Sequence, residues 1–424
     1  MTTSSSGRPG ESRSAVVTFG QHTDPRARPA SARTCVVAAL VLGLGVAGCT
    51  GTADPPPSTG ASSPPSTPSA TTPRDGALPW PKPPSGVLAP STGAALQAEL
   101  QRWVDLGQIH GVTAAVVTPD GVWSGAAGVD GEGTAVQPRS GMALASITKT
   151  FAAAEVMLLA ERGAVDLDAP VSTYLPNRWV SNGVTVRQLL AQRSGLTEAP
   201  DAAWERLGAA PDEHWSPRRF MALVPTPTRE PGGGFNYDNS NYMLLTMLIE
   251  QVTGQHAAAV LQRDLWQPLG LERLAYQDEQ ALPPPLAAPG ADDGVPAGAA
   301  TTPYVPFRSI AGATGGAGGM AGDAATVARW GYDLYGGLLL APESVAQMTD
   351  FSDGDGYGLG TFDFTADFWF SANIDGYGHV GEMPGYNTVV AVYPERETSI
   401  AILTSSAAEP VNYVRLLAKL VAPG

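Results

Sequence analysis

Cysteine is nearly absent from this sequence. The chain has 424 residues and two cysteines, Cys35 and Cys49, both near the N-terminus. The rest of the chain can therefore form neither a disulfide framework nor a cysteine-ligated metal site. Histidine is also scarce, with five residues, and their spacing matches no zinc-ligand pattern. We expect no bound metal and no cofactor.

Charge is low and of one sign. Charged residues make up 15% of the chain, and the formal net charge is −15. Residues 1–48 contain five arginines against Glu11 and Asp24, so the remaining residues are more acidic than the whole, at −18. A protein this acidic repels phosphate backbones and anionic headgroups. The composition therefore argues against nucleic acid as a partner.

The apolar run at residues 34–48 is too short to span a bilayer comfortably, which takes about 20 residues. It follows several arginines, a pattern typical of an export signal. Its end, Val46-Ala47-Gly48-Cys49, resembles a bacterial lipobox, in which the cysteine is lipidated. We expect residues 1–48 to be a lipoprotein signal peptide and Cys49 to hold the exported protein, by its lipid anchor only, on the extracytoplasmic face of the bacterial cell membrane. An uncleaved anchor or a chance cysteine are the alternatives.

Proline, serine and threonine dominate the next segment, residues 49–91. It has almost no aliphatic residues before Val87, so it cannot bury enough apolar surface to offset its ordering entropy. Its prolines favour an extended chain. This composition predicts a disordered linker between the lipidated cysteine and a catalytic domain at residues 92–424.

Both ends of residues 92–424 contain strand patterns. A helical stripe of Leu96, Leu100 and Trp103 precedes two apolar runs at 111–118 and 122–129, with a turn between them. Two more strand-like runs, at 387–392 and 398–404, precede a C-terminal helix. The sequence predicts that both chain ends contribute strands.

The middle of the chain, about 165–345, is richer in helical periods. They are clearest at 186–190, 242–252 and 324–335, whereas the Pro-, Gly- and Ala-rich stretch 283–302 indicates a long loop or insertion. The pattern therefore favours an α/β (α+β) fold. We expect α/β segments from both chain ends to enclose a helical middle.

Ser146 and Lys149 form an S-x-x-K motif before an apolar helical run. Residues three apart share one helix face, so the lysine amine can lie beside the serine hydroxyl. A serine becomes an effective nucleophile when a neighbouring base takes its proton, and lysine can do so when burial lowers its pKa. The motif alone is weak, because an N-cap serine on a surface helix gives the same pattern.

Two further motifs follow in order. Tyr237 and Asn239 form Y-x-N, and His379 and Gly381 form H-x-G. With S-x-x-K, they resemble the motifs of the serine β-lactamase and D-Ala-D-Ala carboxypeptidase superfamily, in its class C-like branch, which also contains esterases. The stretch Q-R-S-G-L at 192–196 resembles the H-T-S-G-L of that branch. The resemblance covers nearly all of residues 92–424, and it implies a β-lactamase/transpeptidase-like fold. In that fold an antiparallel sheet is built from both chain ends and flanked by helices, and an all-helical lobe is inserted.

The resemblance implies catalytic roles for three residues. Ser146 would attack the acyl carbonyl and form an acyl-enzyme. Lys149 would accept the proton of the serine. Tyr237, as phenol or phenolate, would pass a proton to the leaving group and later help to activate water.

It also implies substrate-binding and oxyanion residues. Asn239 would hydrogen-bond the substrate amide or Lys149, and Gly381 would let the substrate backbone lie against the strand. The backbone N–H groups of Ser146 and Glu382 would form the oxyanion hole. His379 stands where many members have lysine, and a histidine is a weaker anchor for a carboxylate at neutral pH. This departure favours an ester or an uncharged amide over a substrate with a free carboxylate.

The sequence thus predicts a lipid-anchored serine hydrolase that acts through an acyl-enzyme on an ester, amide or lactam. Esterase, D-Ala-D-Ala carboxypeptidase and β-lactamase activities all fit. Its partner would be a small-molecule or peptide acyl substrate, and we expect a monomer. The alternative is a catalytically inactive protein that binds cell-wall muropeptides on the same fold.

Overall fold

The computed structural model describes residues 78–176, 178–179, 183–226, 230–290, 303–365 and 374–421. The predicted signal peptide at 1–48 and the lipidation site Cys49 lie outside these residues, as does most of the predicted linker. Structural statements below concern the described residues.

The main sheet has six strands in the order β2-β1-β9-β8-β7-β6, and each neighbouring pair is antiparallel. A smaller sheet has the order β3-β5-β4. The strands are β1 (Gly111–Thr118), β2 (Gly121–Gly128), β3 (Met142–Ala143), β4 (Leu274–Tyr276), β5 (Met320–Gly322), β6 (Phe362–Asp363), β7 (Tyr377–Met383), β8 (Tyr386–Tyr393) and β9 (Thr398–Thr404).

The described residues form twelve α-helices, most of which lie between β2 and β6 in the chain. They are α1 (Pro90–Asp105), α2 (Thr148–Glu161), α3 (Val186–Leu190), α4 (Asp201–Ala209), α5 (Pro217–Met221), α6 (Asn239–Thr253), α7 (Ala257–Leu261), α8 (Gln267–Leu269), α9 (Arg308–Thr314), α10 (Ala324–Tyr335), α11 (Pro342–Met348) and α12 (Val411–Val421). Within the described ranges, no helix has the length and apolarity needed to cross a bilayer.

Strands from both chain ends form the main sheet, as predicted. β1 pairs with β9, with Val112 opposite Thr404 and Val117 opposite Ser399. Alternate residues of a strand face opposite sides, and both sides of β1 are buried. Val112, Ala114 and Val116 pack in the core that contains α1 and α12, whereas Ala115 and Val117 pack in the core of the inserted helices.

The inserted segment is mainly helical and is built around α2. The side chains of α2 from Thr148 to Leu159 are all buried, which is typical of a helix that is apolar on every side. Phe151 stacks on Trp330 of α10, with ring centroids 3.9 Å apart. The small β3-β5-β4 sheet adds strands to the lobe that the sequence predicts as all-helical, and it holds the turn before α2.

The structure differs from the linker prediction over residues 78–89. Trp80 is 3% exposed and packs edge-on against Tyr332, while its backbone N–H donates to the carbonyl of Gly336. Farther along, Leu88 donates to the carbonyl of Val122. Composition missed this packing because one buried tryptophan anchors a segment that is otherwise rich in proline.

Candidate active site

Ser146 lies in a short 3₁₀ turn, Ala145–Ile147, that leads directly into α2. Ala145 has a φ of +48°, in the left-handed region that costs an L-residue energy. A small side chain there limits the crowding. The turn places Ser146 at the start of a buried helix, where the backbone N–H groups and the helix dipole favour developing negative charge.

Lys149 lies one turn along α2 and is fully buried. Its Nζ lies 2.9 Å from Ser146 Oγ, 2.8 Å from Asn239 Oδ1 and 2.7 Å from the carbonyl oxygen of Ala317. A carbonyl oxygen and an amide oxygen can only accept hydrogen bonds. Two of the three positions around the amine are therefore occupied by acceptors, and the third faces the serine.

The environment of Lys149 favours the neutral amine. Burial lowers its pKa from 10.5 to about 7, against the opposing effect of Glu198 and Asp238, whose negative charges raise it. A lysine with this pKa is substantially deprotonated at neutral pH, which is the state a general base needs.

The Y-x-N motif lies at the N-terminus of α6. Asp238 is the N-cap, and its side chain accepts a hydrogen bond from the N–H of Ser240 at 2.8 Å. Asn239 is the first helical residue, and its Oδ1 accepts a hydrogen bond from Lys149 Nζ. Gln192, from the Q-R-S-G-L stretch, is buried and accepts from the N–H of Asp238 at 3.0 Å. These contacts fix the motif relative to α2, although about 90 residues of sequence separate Lys149 from Asn239.

Tyr237 lies beside Ser146 and Lys149, and its ring centroid is 4.9 Å from Lys149 Nζ. Burial raises the pKa of its phenol well above the usual value. Tyr237 is therefore a neutral phenol at neutral pH. Between the two forms that the sequence leaves open, the structure favours the phenol, which can donate a proton.

His379 is completely buried in β7, beneath the site. Its Nδ1 lies 2.6 Å from the carbonyl oxygen of Val380, so this nitrogen donates, and its Nε2 lies 3.2 Å from the hydroxyl of Tyr357. Its ring centroid is 6.3 Å from that of Tyr237. In this arrangement His379 supports the two tyrosines. The role of substrate anchor stays a prediction.

Gly381 brings β7 against the nucleophile turn. A Cβ at this position would lie 2.3 Å from the carbonyl oxygen of Leu144 and 2.4 Å from Thr388 Oγ1. Thr388 donates to that same Leu144 carbonyl at 3.0 Å. The close approach places Glu382, whose side chain is exposed, next along the strand. The oxyanion hole of Ser146 and Glu382 N–H groups stays a prediction.

Sequence reasoning missed two contributors to the site. The carbonyl of Ala317 binds Lys149 across 168 residues of sequence, and a backbone carbonyl has no side-chain signature. Glu198 accepts hydrogen bonds at Oε2 from the N–H and Nδ2 of Asn239, at 3.2 and 3.3 Å. The sequence signal for Glu198 was its position, two residues after the S-G-L segment that the sequence analysis had identified.

The remaining described histidine contacts lie away from this site. His214 and His256 contact opposite oxygens of Asp278, at 2.6 and 2.9 Å. Over the ranges that the structure describes, no group of three histidine, cysteine or acidic residues is arranged to hold a metal ion.

The fold and the site together define the class of protein. A six-stranded antiparallel sheet with an inserted helical segment, and a serine, lysine, tyrosine and asparagine at their junction, make a β-lactamase/transpeptidase fold of the serine hydrolase type. The Beta-lactamase family model matches residues 96–422. The chain belongs to this family.

Its relatives differ in their named activities. The chain is 25% identical over 270 residues to the putative penicillin-binding protein PbpX of Bacillus subtilis (strain 168), an alignment that covers 63% of each protein. It is 32% identical over 152 residues to the esterase EstB of Burkholderia gladioli, covering 31% of this chain and 38% of EstB. The chain therefore spans less than two thirds of the length of these relatives.

A D-stereospecific amidohydrolase from Streptomyces sp. has a similar structure. The TM-score is 0.62 at 25% sequence identity, and the match covers 77% of this chain and 97% of the amidohydrolase. The similarity supports the β-lactamase/transpeptidase fold.

Proposed function

We propose that this protein is a serine hydrolase of the class C-like branch that acts through an acyl-enzyme on Ser146. The position of Lys149 carries the proposal. Its buried amine lies 2.9 Å from the Ser146 hydroxyl, with a pKa near 7 and two acceptors for its hydrogens. In that state the lone pair of the amine faces the serine proton.

The reaction follows from this geometry. Lys149 takes the proton of Ser146 as Oγ attacks the acyl carbon, and the N–H groups of Ser146 and Glu382 stabilise the oxyanion. Tyr237, a neutral phenol, donates a proton to the leaving group as the bond to it breaks, and the proton that Lys149 accepted restores the phenol. Water then attacks the acyl carbon while the neutral Lys149 takes a proton from it. Lys149 returns this proton to Ser146 Oγ as the acid leaves, which restores the serine.

The substrate class is an ester or an uncharged amide. His379 replaces the lysine of the third motif and is buried, and the exposed Glu382 carboxylate beside the site disfavours an anionic group there. The named activities of similar proteins, esterase and D-stereospecific amidohydrolase, agree with this class.

Turnover and labelling test the function. The purified protein, Ser146→Ala and the control Ser124→Ala, which alters an exposed serine of β2, would be treated with a fluorophosphonate probe and with short p-nitrophenyl esters and D-amino-acid amides. Wild type and Ser124→Ala are expected to be labelled and active, and Ser146→Ala to be neither. Equal turnover by Ser146→Ala, or no labelling of wild type, would contradict the proposal. The second outcome would favour a muropeptide-binding protein.

We propose further that Cys49 anchors the protein by lipid outside the cell membrane. The lipobox-like Val46-Ala47-Gly48-Cys49 supports this proposal. In a bacterial expression host, metabolic labelling with an alkyne fatty acid is expected to mark the full chain and not Cys49→Ala. Equal labelling of Cys35→Ala and wild type is the matched control, and labelling of Cys49→Ala would overturn the anchor.

A further inference from the structure

Glu198 lies beside Asn239 and is hydrogen-bonded to it. Its Oε2 accepts from both the backbone N–H and the side-chain Nδ2 of Asn239. Glu198 follows a segment that is hydrogen-bonded to α6. In that segment, Ser194 Oγ donates to Asn241 Oδ1 and Gln192 Oε1 accepts from Asn241 Nδ2. Glu198 is thus held against Asn239 by a rigid support.

The contact with Glu198 decides which way the Asn239 amide points. An asparagine amide has a donor end and an acceptor end. A carboxyl oxygen accepts from Nδ2 whether Glu198 is protonated or ionised, so the Oδ1 end must face Lys149, where it lies 2.8 Å from Nζ. The reversed amide would set Nδ2 against the lysine hydrogens.

The direction of the amide in turn decides where the Lys149 lone pair points. A neutral amine has two hydrogens and one lone pair. The carbonyl of Ala317 takes one hydrogen and Asn239 Oδ1 takes the other, so the lone pair is left for the Ser146 hydroxyl, 2.9 Å away. Without a fixed Oδ1, one hydrogen can turn toward the serine instead.

We propose that Glu198 is a positioning residue for the acylation step. It fixes the Asn239 amide, and through that amide it directs the lone pair of Lys149 at the Ser146 proton. The inference rests on the proposed function, since it assigns Glu198 a part in activating the same nucleophile.

The rate of Ser146 modification measures this role without a known substrate. The second-order rate constant for a fluorophosphonate would be measured at pH 9, where Lys149 is deprotonated, for wild type, Glu198→Gln, Glu198→Leu, Asn239→Ala and Asn239→Ala with Glu198→Leu. Glu155→Gln, a buried acid elsewhere on α2, is the control. Thermal unfolding of each variant identifies those that fold.

Glu198→Gln keeps an acceptor for Asn239 and is expected to react within about threefold of wild type, whereas Glu198→Leu is expected to be slowed at least about tenfold. In the Asn239→Ala background, Glu198→Leu should add less than about twofold, because the two residues act as one unit. Glu155→Gln should react like wild type.

The proposal is overturned if Glu198→Leu reacts as fast as wild type, or if it slows the reaction equally in both backgrounds. It is also overturned if Glu198→Gln is as slow as Glu198→Leu. The slower reaction would then come from the loss of the Glu198 carboxyl group and not from the loss of the hydrogen bond to Asn239. A wild type that is never labelled contradicts the hydrolase itself. A labelled wild type with uncoupled variants contradicts only the role of Glu198.

Discussion

At the scale of single residues, Lys149 shows how burial favours the neutral form of a common cation. Every polar contact of its amine is made inside the protein, with Ser146, Asn239 and Ala317. Desolvation disfavours the charged form, and the carboxylates nearby only partly compensate. The same amine on the surface would hold its proton and could not serve Ser146.

The pH profile of kcat/KM tests this state of Lys149. Because the pKa is lowered to about 7, ester hydrolysis is expected to fall tenfold per pH unit on the acidic side of about pH 7. Lys149→Met should lose about 100-fold or more at every pH, and the exposed Lys419→Met should keep the wild-type profile. An acidic limb near pH 10 would refute a neutral lysine at physiological pH.

Glu155 shows the opposite effect of burial, on an acid with no part in the reaction. Burial, with Asp264 nearby, raises its pKa from 4.5 to about 8. Between these values the folded protein holds a proton that the unfolded chain releases, so stability falls as the pH rises through this window.

Glu155→Gln removes the ionisable carboxyl group and therefore this loss of stability at high pH. Urea unfolding is expected to show a gain of roughly 1–3 kcal/mol at pH 8 and little change at pH 4.5. Glu205→Gln, at an exposed position of α4, should change the stability at neither pH. A gain of the same size at both pH values would mean that ionisation of Glu155 is not its source.

At the scale of elements, the site exists where β7 meets the turn before α2. Gly381 makes that approach possible, since a Cβ there would overlap Leu144 and Thr388. The oxyanion hole that we propose needs the N–H of Glu382 close to that of Ser146. In the proposed mechanism, the distance between β7 and the turn before α2 therefore affects the rate of acylation.

Gly381→Ala is expected to push β7 away from the turn. Acylation should fall about 100-fold, because small displacements of catalytic groups are costly, and the melting temperature should drop by several degrees. Gly208→Ala, in α4, has open space around its Cβ and should neither slow acylation nor lower the melting temperature. Unchanged acylation by Gly381→Ala would contradict the close approach.

The elements also show what sequence patterns can and cannot predict. Periodicity found α1, with Leu96, Leu100 and Trp103 buried, because an amphipathic stripe is a local property. The motifs found Ser146 and Lys149. The contributions of Ala317 and Glu198 arise from contacts between segments distant in sequence, and a local pattern does not contain them.

At the scale of the whole molecule, the sheet joins the two chain ends and the helical segment lies between them in sequence. β1 and β9 pair along six residues, so the middle of the chain is closed into one large insertion. Ser146 and Lys149 come from the start of the helical segment between β2 and β6, and Asn239 comes from its middle. Gly381 comes from β7, which follows that segment. Only the complete fold assembles the site.

The identity of the acylated residue tests the proposed acyl-enzyme mechanism most directly. The protein would be mixed with p-nitrophenyl acetate, quenched in acid within the first turnover, digested and examined by mass spectrometry. The mechanism predicts the mass of one acetyl group on Ser146 in wild type and none at this position in Ser146→Ala. An acetyl group on another residue, or turnover that persists in Ser146→Ala, would contradict it.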